Sequence, residues 1–142
     1  MVLLNPSRAD ARREDPTVRR CLGFARRDGF GALYVLNIFA WRTPFTRELR
    51  AARAPVGRLN DRYIAQAAHQ ADQVAIAWGA HGEYLERAAE VLKLLSVGRA
   101  VWCLGRTHGG HPRHPLYLKR STPFEPYPVF SLPEGRLAGE RG

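Results

Sequence analysis

Three histidines crowd one stretch of this chain. His108, His111 and His114 fall in the loop 105–118, around a Gly-Gly-His-Pro-Arg-His-Pro-Leu core. An imidazole there can ligate a metal or donate a hydrogen bond to a developing anion. Zinc is the weaker reading, because a proline separates His111 from His114 and no acidic partner is near them in sequence. His69 and His81 lie elsewhere, and no metal or other cofactor is expected. Two asparagines complete the set. Asn37 interrupts the apolar run 33–39, where an amide has no core role unless partners engage it. Either it ties two loops together or it reads the edge of a ligand, and bidentate amide recognition suits nucleobases. Asn5, with Pro6 and Ser7, directly follows the apolar opening 1–4.

The elements that must position these residues alternate between two periods. Residues 1–4 read as a short strand that ends at Asn5-Pro6, since proline stops regular pairing. Asp15-Pro16 supplies a helix cap and a first-turn proline. Val18, Cys21, Leu22 and Ala25 form the apolar face of that helix, Arg19, Arg20, Arg26 and Arg27 the basic one, and Gly29 a stop. The run 33–39 is a strand covered on both faces. A short helical piece over 46–53 follows Thr43-Pro44, and Asn60 is placed to cap a helix over 61–71. A buried strand over 74–78 ends at Gly79. Residues 83–95 read as helix with Leu85, Ala88, Ala89, Leu92 and Leu95 inward, and a last strand over 100–104 ends at Gly105. From Ser121 onward the chain holds four of its ten prolines without clear period, which suggests a loosely packed extension.

Apolar strands separated by helices predict an α/β fold. Its form is a three-layer α/β/α sandwich with a mostly parallel central sheet of about four strands. One domain over 1–135 and a polar tail over 136–142 account for the chain. In such sheets ligands bind beyond the carboxyl ends of the strands. That rule gathers Asn5-Pro6-Ser7, Asn37, Trp78-Gly79-Ala80 and the histidine loop at one edge.

With 142 residues, 45% of them hydrophobic and 25% charged, the chain is neither disordered, collagen-like nor a coiled coil. No apolar run approaches the roughly 20 residues that cross a bilayer, and the opening run is far too short for a secretory leader. A cytoplasmic, membrane-free monomer is the expectation. Cys21 and Cys103 have no CxxC partner and read as buried thiols of a reducing compartment. The net charge is +9, and 20 of the 22 basic residues are arginine. Residues 1–62 carry 13 arginines against 6 acids, a local excess of +7. Such a field favours a polyanion, and arginine's planar fork suits phosphate.

Taken together, these residues resemble a bacterial and phage family of unknown function with a Leu-Asn-Pro-Ser-x-Ala-Asp signature, and through it the uracil-DNA glycosylase superfamily. The signature here is Leu4-Asn5-Pro6-Ser7-Arg8-Ala9-Asp10, followed by Asp15-Pro16-Thr17, and the closing run is Gly110 through Leu118. Asn5-Pro6 looks like the first glycosylase motif, Asn37 like the asparagine that reads the uracil edge, and Trp78-Gly79 like the strand-end Trp-Gly. His114-Pro115-Leu116 looks like the second motif, with Leu116 where that motif has serine. The resemblance implies a glycosylase-like sandwich and hydrolysis of the N-glycosidic bond of uracil or another altered base in DNA. Asn5 and His114 would be catalytic, and Pro6, Ser7, Asn37, Phe39 and Gly79 would surround the base. Arg8, Arg19, Arg20, Arg113 and Pro115 would meet DNA. For the aromatic that stacks on the base, Phe30, Phe39 and Trp41 all qualify. Two alternatives stand beside this: a non-catalytic nucleic-acid or base-binding module of the same fold, and an enzyme of free nucleotides or nucleosides.

Overall fold

The apolar runs form a sheet, each pairing over fewer residues than its length suggests. The computed structural model describes residues 1–6 and 15–128. Its strands are β1 (Val2–Leu3), β2 (Leu36–Asn37), β3 (Val74–Ile76), β4 (Val101–Cys103) and β5 (Glu125–Pro126), in the order β2-β1-β3-β4-β5. The first four are mutually parallel, and β5 runs antiparallel to β4. Backbone bonds prolong the ladder beyond the strand ends, from Ile38 N to Leu3 O and from Phe39 N to Leu4 O, both 2.9 Å.

Four helices complete the fold: α1 (Pro16–Arg27), α2 (Thr46–Ala51), α3 (Asn60–Gln70) and α4 (Arg87–Leu95). Because strand side chains alternate, β1 and β3 bury residues on both faces, while the edge strand β5 stays exposed. Val2, Ile76, Val101 and Cys103 pack with Ile64 of α3 and Val91 and Leu95 of α4. Leu3 and Ala77 meet Cys21 of α1 on the other face, and Phe24 packs with Leu104 and Leu118. Helices therefore cover both sides of a mostly parallel sheet. Each fully buried aliphatic side chain here contributes about 1.5–3 kcal/mol. Both thiols are free and buried, and burial pushes that of Cys21 up to about 11.

Three expectations change. The extension after Ser121 contributes the fifth strand: Tyr127 N donates to Val101 O at 2.8 Å and the tyrosine is buried. Proline is tolerated there because β5 is an edge. The helix expected over 83–95 begins only at Arg87. Before it, Ala80–Glu86 forms a 3₁₀ stretch broken by positive φ at Leu85 (56°) and Glu86 (55°), which leaves Leu85 exposed rather than inward. Gly82 lies so close over the Trp78 indole that a side chain there has no room. Thirdly, Asn60 does not cap α3; its amide is used elsewhere, as described below. Residues 129–142, and with them the expected domain end at 135 and the tail, lie outside the described residues. Among the described residues no helix is long and apolar enough to cross a membrane.

Candidate functional site at the carboxyl edge of the sheet

Parallel pairing brings the ends of β1 to β4 to one edge, and Asn5 is anchored there. Its Nδ2 donates to the carbonyls of Thr43 (2.7 Å), Trp41 (3.1 Å) and Pro6 (3.2 Å). Carbonyls only accept, so the three together fix which end of the amide faces them. Among the described residues Oδ1 accepts no hydrogen bond. Thr43 N donates to Pro6 O at 3.0 Å, closing the same junction. Asn5 thus performs the loop-tying weighed for Asn37.

The Asn37 side chain is half-buried and makes no hydrogen bond among the described residues, while its backbone is held firmly. Asn60 Nδ2 donates to Asn37 O at 2.7 Å and to Ile38 O at 3.0 Å. Arg87 Nε adds 2.7 Å to Ile38 O from a side chain only 1% exposed, charge-paired with Asp61 and Glu90. The sequence reading gives Asn60 only the role of a helix cap and does not single out Arg87. The available signal is that Arg87 falls in register with Val91 and Leu95, a cation on the apolar face of a helix.

His114 is positioned by a stiff finger. Arg106 bridges Pro112, Thr107 N donates to His111 O at 2.8 Å, and Gly110 (φ 87°) makes the turn. Tyr127 clamps the finger through its hydroxyl to Gly110 O at 3.0 Å. His114 then caps the 3₁₀ turn Pro115–Tyr117, its Nδ1 accepting from Leu116 N at 3.3 Å. An accepting Nδ1 carries no proton, so the neutral ring holds its hydrogen on Nε2. Burial lowers the pKa of this imidazole, against a smaller opposing pull from Asp15. Asp15 is the α1 cap, accepting from Thr17 N at 2.8 Å. Gly79 N donates to Pro112 O at 2.8 Å, and a side chain at Gly79 would begin 3.9 Å from His114 Cβ. At φ 73° and ψ −169° this backbone belongs to glycine. Asn5, Asn37, Gly79 and His114 therefore share one edge.

The other proposed residues divide. Phe39 is wholly buried, its ring 5.8 Å from that of Tyr84, so it presents no face to a base. Phe30 lines a cavity of about 270 Å³ at the amino ends of the strands, with Met1, Leu33 and Ala71, on the opposite edge. Trp41 is 48% exposed beside Asn5. Pro6 is half-buried and Pro115 buried. Arg113 is exposed, with its stem over Gly105, and Arg19 is exposed on α1. Arg20 leans on Phe24 at 5.8 Å with its Nε buried. Arg27, on the supposed basic face, is spent on the carbonyls of Arg120 and Thr122. Ser7, Arg8 and Asp10 lie outside the described residues. His111 does find an acidic neighbour, Glu83 at 3.5 Å, supplied by the 3₁₀ stretch rather than by adjacent sequence. Among the described residues no three His, Cys, Asp or Glu side chains converge as metal ligands do.

Fold and edge together define an α/β protein whose candidate ligand site is built from loops beyond the carboxyl ends of a parallel sheet. The match of its family profile is extensive, running over residues 1–116, from β1 through the His114 loop. The chain belongs to that family, the proteins of unknown function DUF1643. No curated protein and no solved structure matches it.

Proposed function

We propose that this chain is a DNA glycosylase, built as a uracil-DNA glycosylase-like sandwich, that hydrolyses the N-glycosidic bond of uracil or another altered base. The observation that carries the reading is the pairing, on one edge, of a neutral imidazole with its hydrogen on Nε2 and an amide whose Oδ1 accepts no hydrogen bond among the described residues. When the C1′–N bond breaks, the base leaves with the electron pair and the sugar becomes cationic. Nε2–H of His114 donates to a carbonyl oxygen of the departing base, a bond that strengthens as negative charge grows. Oδ1 of Asn5 accepts from the attacking water and orients it toward C1′. After the oxygen has bonded to that carbon its proton is acidic and passes to solvent, so no carboxylate is required. The uncommitted amide of Asn37 matches the donor and acceptor edge of a base.

A uracil-containing oligonucleotide should acquire alkali-labile abasic sites with this protein. His114→Ala should slow the reaction by about 10²–10³-fold, the effect of one positioned donor. Absence of abasic product from single- and double-stranded substrates carrying uracil, hypoxanthine or mispaired thymine refutes the reading. A second reading, a base-binding module without cleavage, is favoured by Asn5 itself, since an amide with its NH₂ spent on three carbonyls cannot accept a proton. Tight oligonucleotide binding without product from any substrate supports it.

A further inference from the structure

Large apolar side chains that stand open together, rimmed by polar residues, mark an interaction site. At the carboxyl edge three aromatics stand open in this way. Tyr117 is 84% exposed, three residues after His114, with its ring 6.3 Å from the imidazole. Trp41 (48%) and Phe45 (55%) stand on the loop that Asn5 holds by the Trp41 and Thr43 carbonyls. Arginines interleave with them: Arg42 and Arg47 beside the first pair, Arg106 and Arg113 on the finger, all exposed and with no ion pair among the described residues. Aromatic faces set among open cations are what an unpaired nucleic-acid strand recognises, through base stacking and phosphate contact. A duplex cannot use such faces, because its bases are already stacked on each other.

We propose that this edge takes a single strand of DNA, with consecutive bases stacked on Trp41, Phe45 and Tyr117 to either side of the Asn5–His114 centre. The spacing agrees. The loops follow β2 and β4, three strand spacings or ~14 Å apart. That is about four stacked nucleotides at ~3.4 Å each. The proposal rests on the reading that this edge handles a base within DNA, and it adds that the DNA is unpaired.

The probe is a uracil-free deoxythymidine oligomer of about ten nucleotides, within the usual site size. Its binding is followed by anisotropy and by tryptophan quenching. Trp41→Ala and Tyr117→Ala should each weaken binding by about 5- to 100-fold. Tyr34→Ala, equally open but at the opposite edge, should bind as the parent does. Trp41→Phe should keep affinity but lose most quenching, since Trp78 is buried and Trp102 half-buried. A blunt duplex of equal length should bind about tenfold or more weaker. Parent-like binding by both alanine variants, or equal affinity for duplex, overturns the proposal. Uracil release is scored separately: binding as expected without abasic product sinks the glycosylase reading alone. Equal release from both strand forms by parent and aromatic variants sinks this proposal alone.

Discussion

Replacing Asn5 by aspartate would be expected to improve this position by installing a general base. The structure argues for the opposite outcome. Nδ2 of Asn5 faces the carbonyls of Thr43, Trp41 and Pro6 at 2.7, 3.1 and 3.2 Å, and two of these contacts are partly buried. Asn5→Ala loses all three bonds, but water can rejoin the exposed Trp41 carbonyl. At about 1 kcal/mol for each partly buried bond, plus some desolvation cost for the stranded acceptors, the loss comes to about 2–3 kcal/mol. Asn5→Asp loses the same bonds and sets an anion against carbonyl oxygens, so it should cost more than alanine does. Protonation relieves the clash by restoring a donor, so the introduced carboxyl has a folded pKa above its unfolded value. Between those two values the folded form binds more protons, and stability falls as pH rises above about 4. The gap between the aspartate and alanine variants should therefore narrow in acid. Urea unfolding of parent and both variants at neutral and acidic pH measures this. An aspartate variant as stable as the parent, or more stable than alanine at neutral pH, refutes the tether.

Other outcomes follow from neighbouring groups. Arg87→Met keeps the buried stem but cannot donate to Ile38 O, and chemical denaturation should register a loss of roughly 3 kcal/mol, a charged hydrogen bond together with its stranded acceptor. Gly79→Ala has space beside His114 but must adopt a backbone reserved for glycine, costing about 1–3 kcal/mol in the same assay. The imidazole of His114 has its pKa lowered from 6.5 by burial, so the folded protein binds fewer protons than the unfolded chain just below that pH. Its stabilising contribution is complete above 6.5 and is lost as pH falls through the folded value. His114→Ala should flatten that part of the stability profile, and glycosylase activity should hold through neutrality and fall only in acid. Cys21, raised to about 11 by burial, should resist alkylation in the native protein and react on unfolding, as mass spectrometry can score.

Much of this architecture is written locally. The apolar runs 74–78 and 100–104 with the glycines that end them mark two of the parallel strands, and the Asp15-Pro16 cap marks the start of α1, because each acts within a few residues. Reading where the strands end also brings Asn5, Asn37, Gly79 and His114 to one edge. The identity of each partner is a different matter. Asn5 bonds carbonyls 36 and 38 positions away, and Asn60 and Arg87 converge on the end of β2 from two helices. No local period encodes such meetings. The same holds for Phe39, which reads as a possible stacking ring until Tyr84 covers it. It holds too for β5, whose residues lack period because an edge strand with proline needs only one partner. The chain's own order determines which segments become strands and helices, since dihedral preference and side-chain alternation are short-range. Only tertiary closure decided which amides are spent on carbonyls and which stay open to a ligand, since a polar group's role depends on what the fold brings within hydrogen-bonding reach of it.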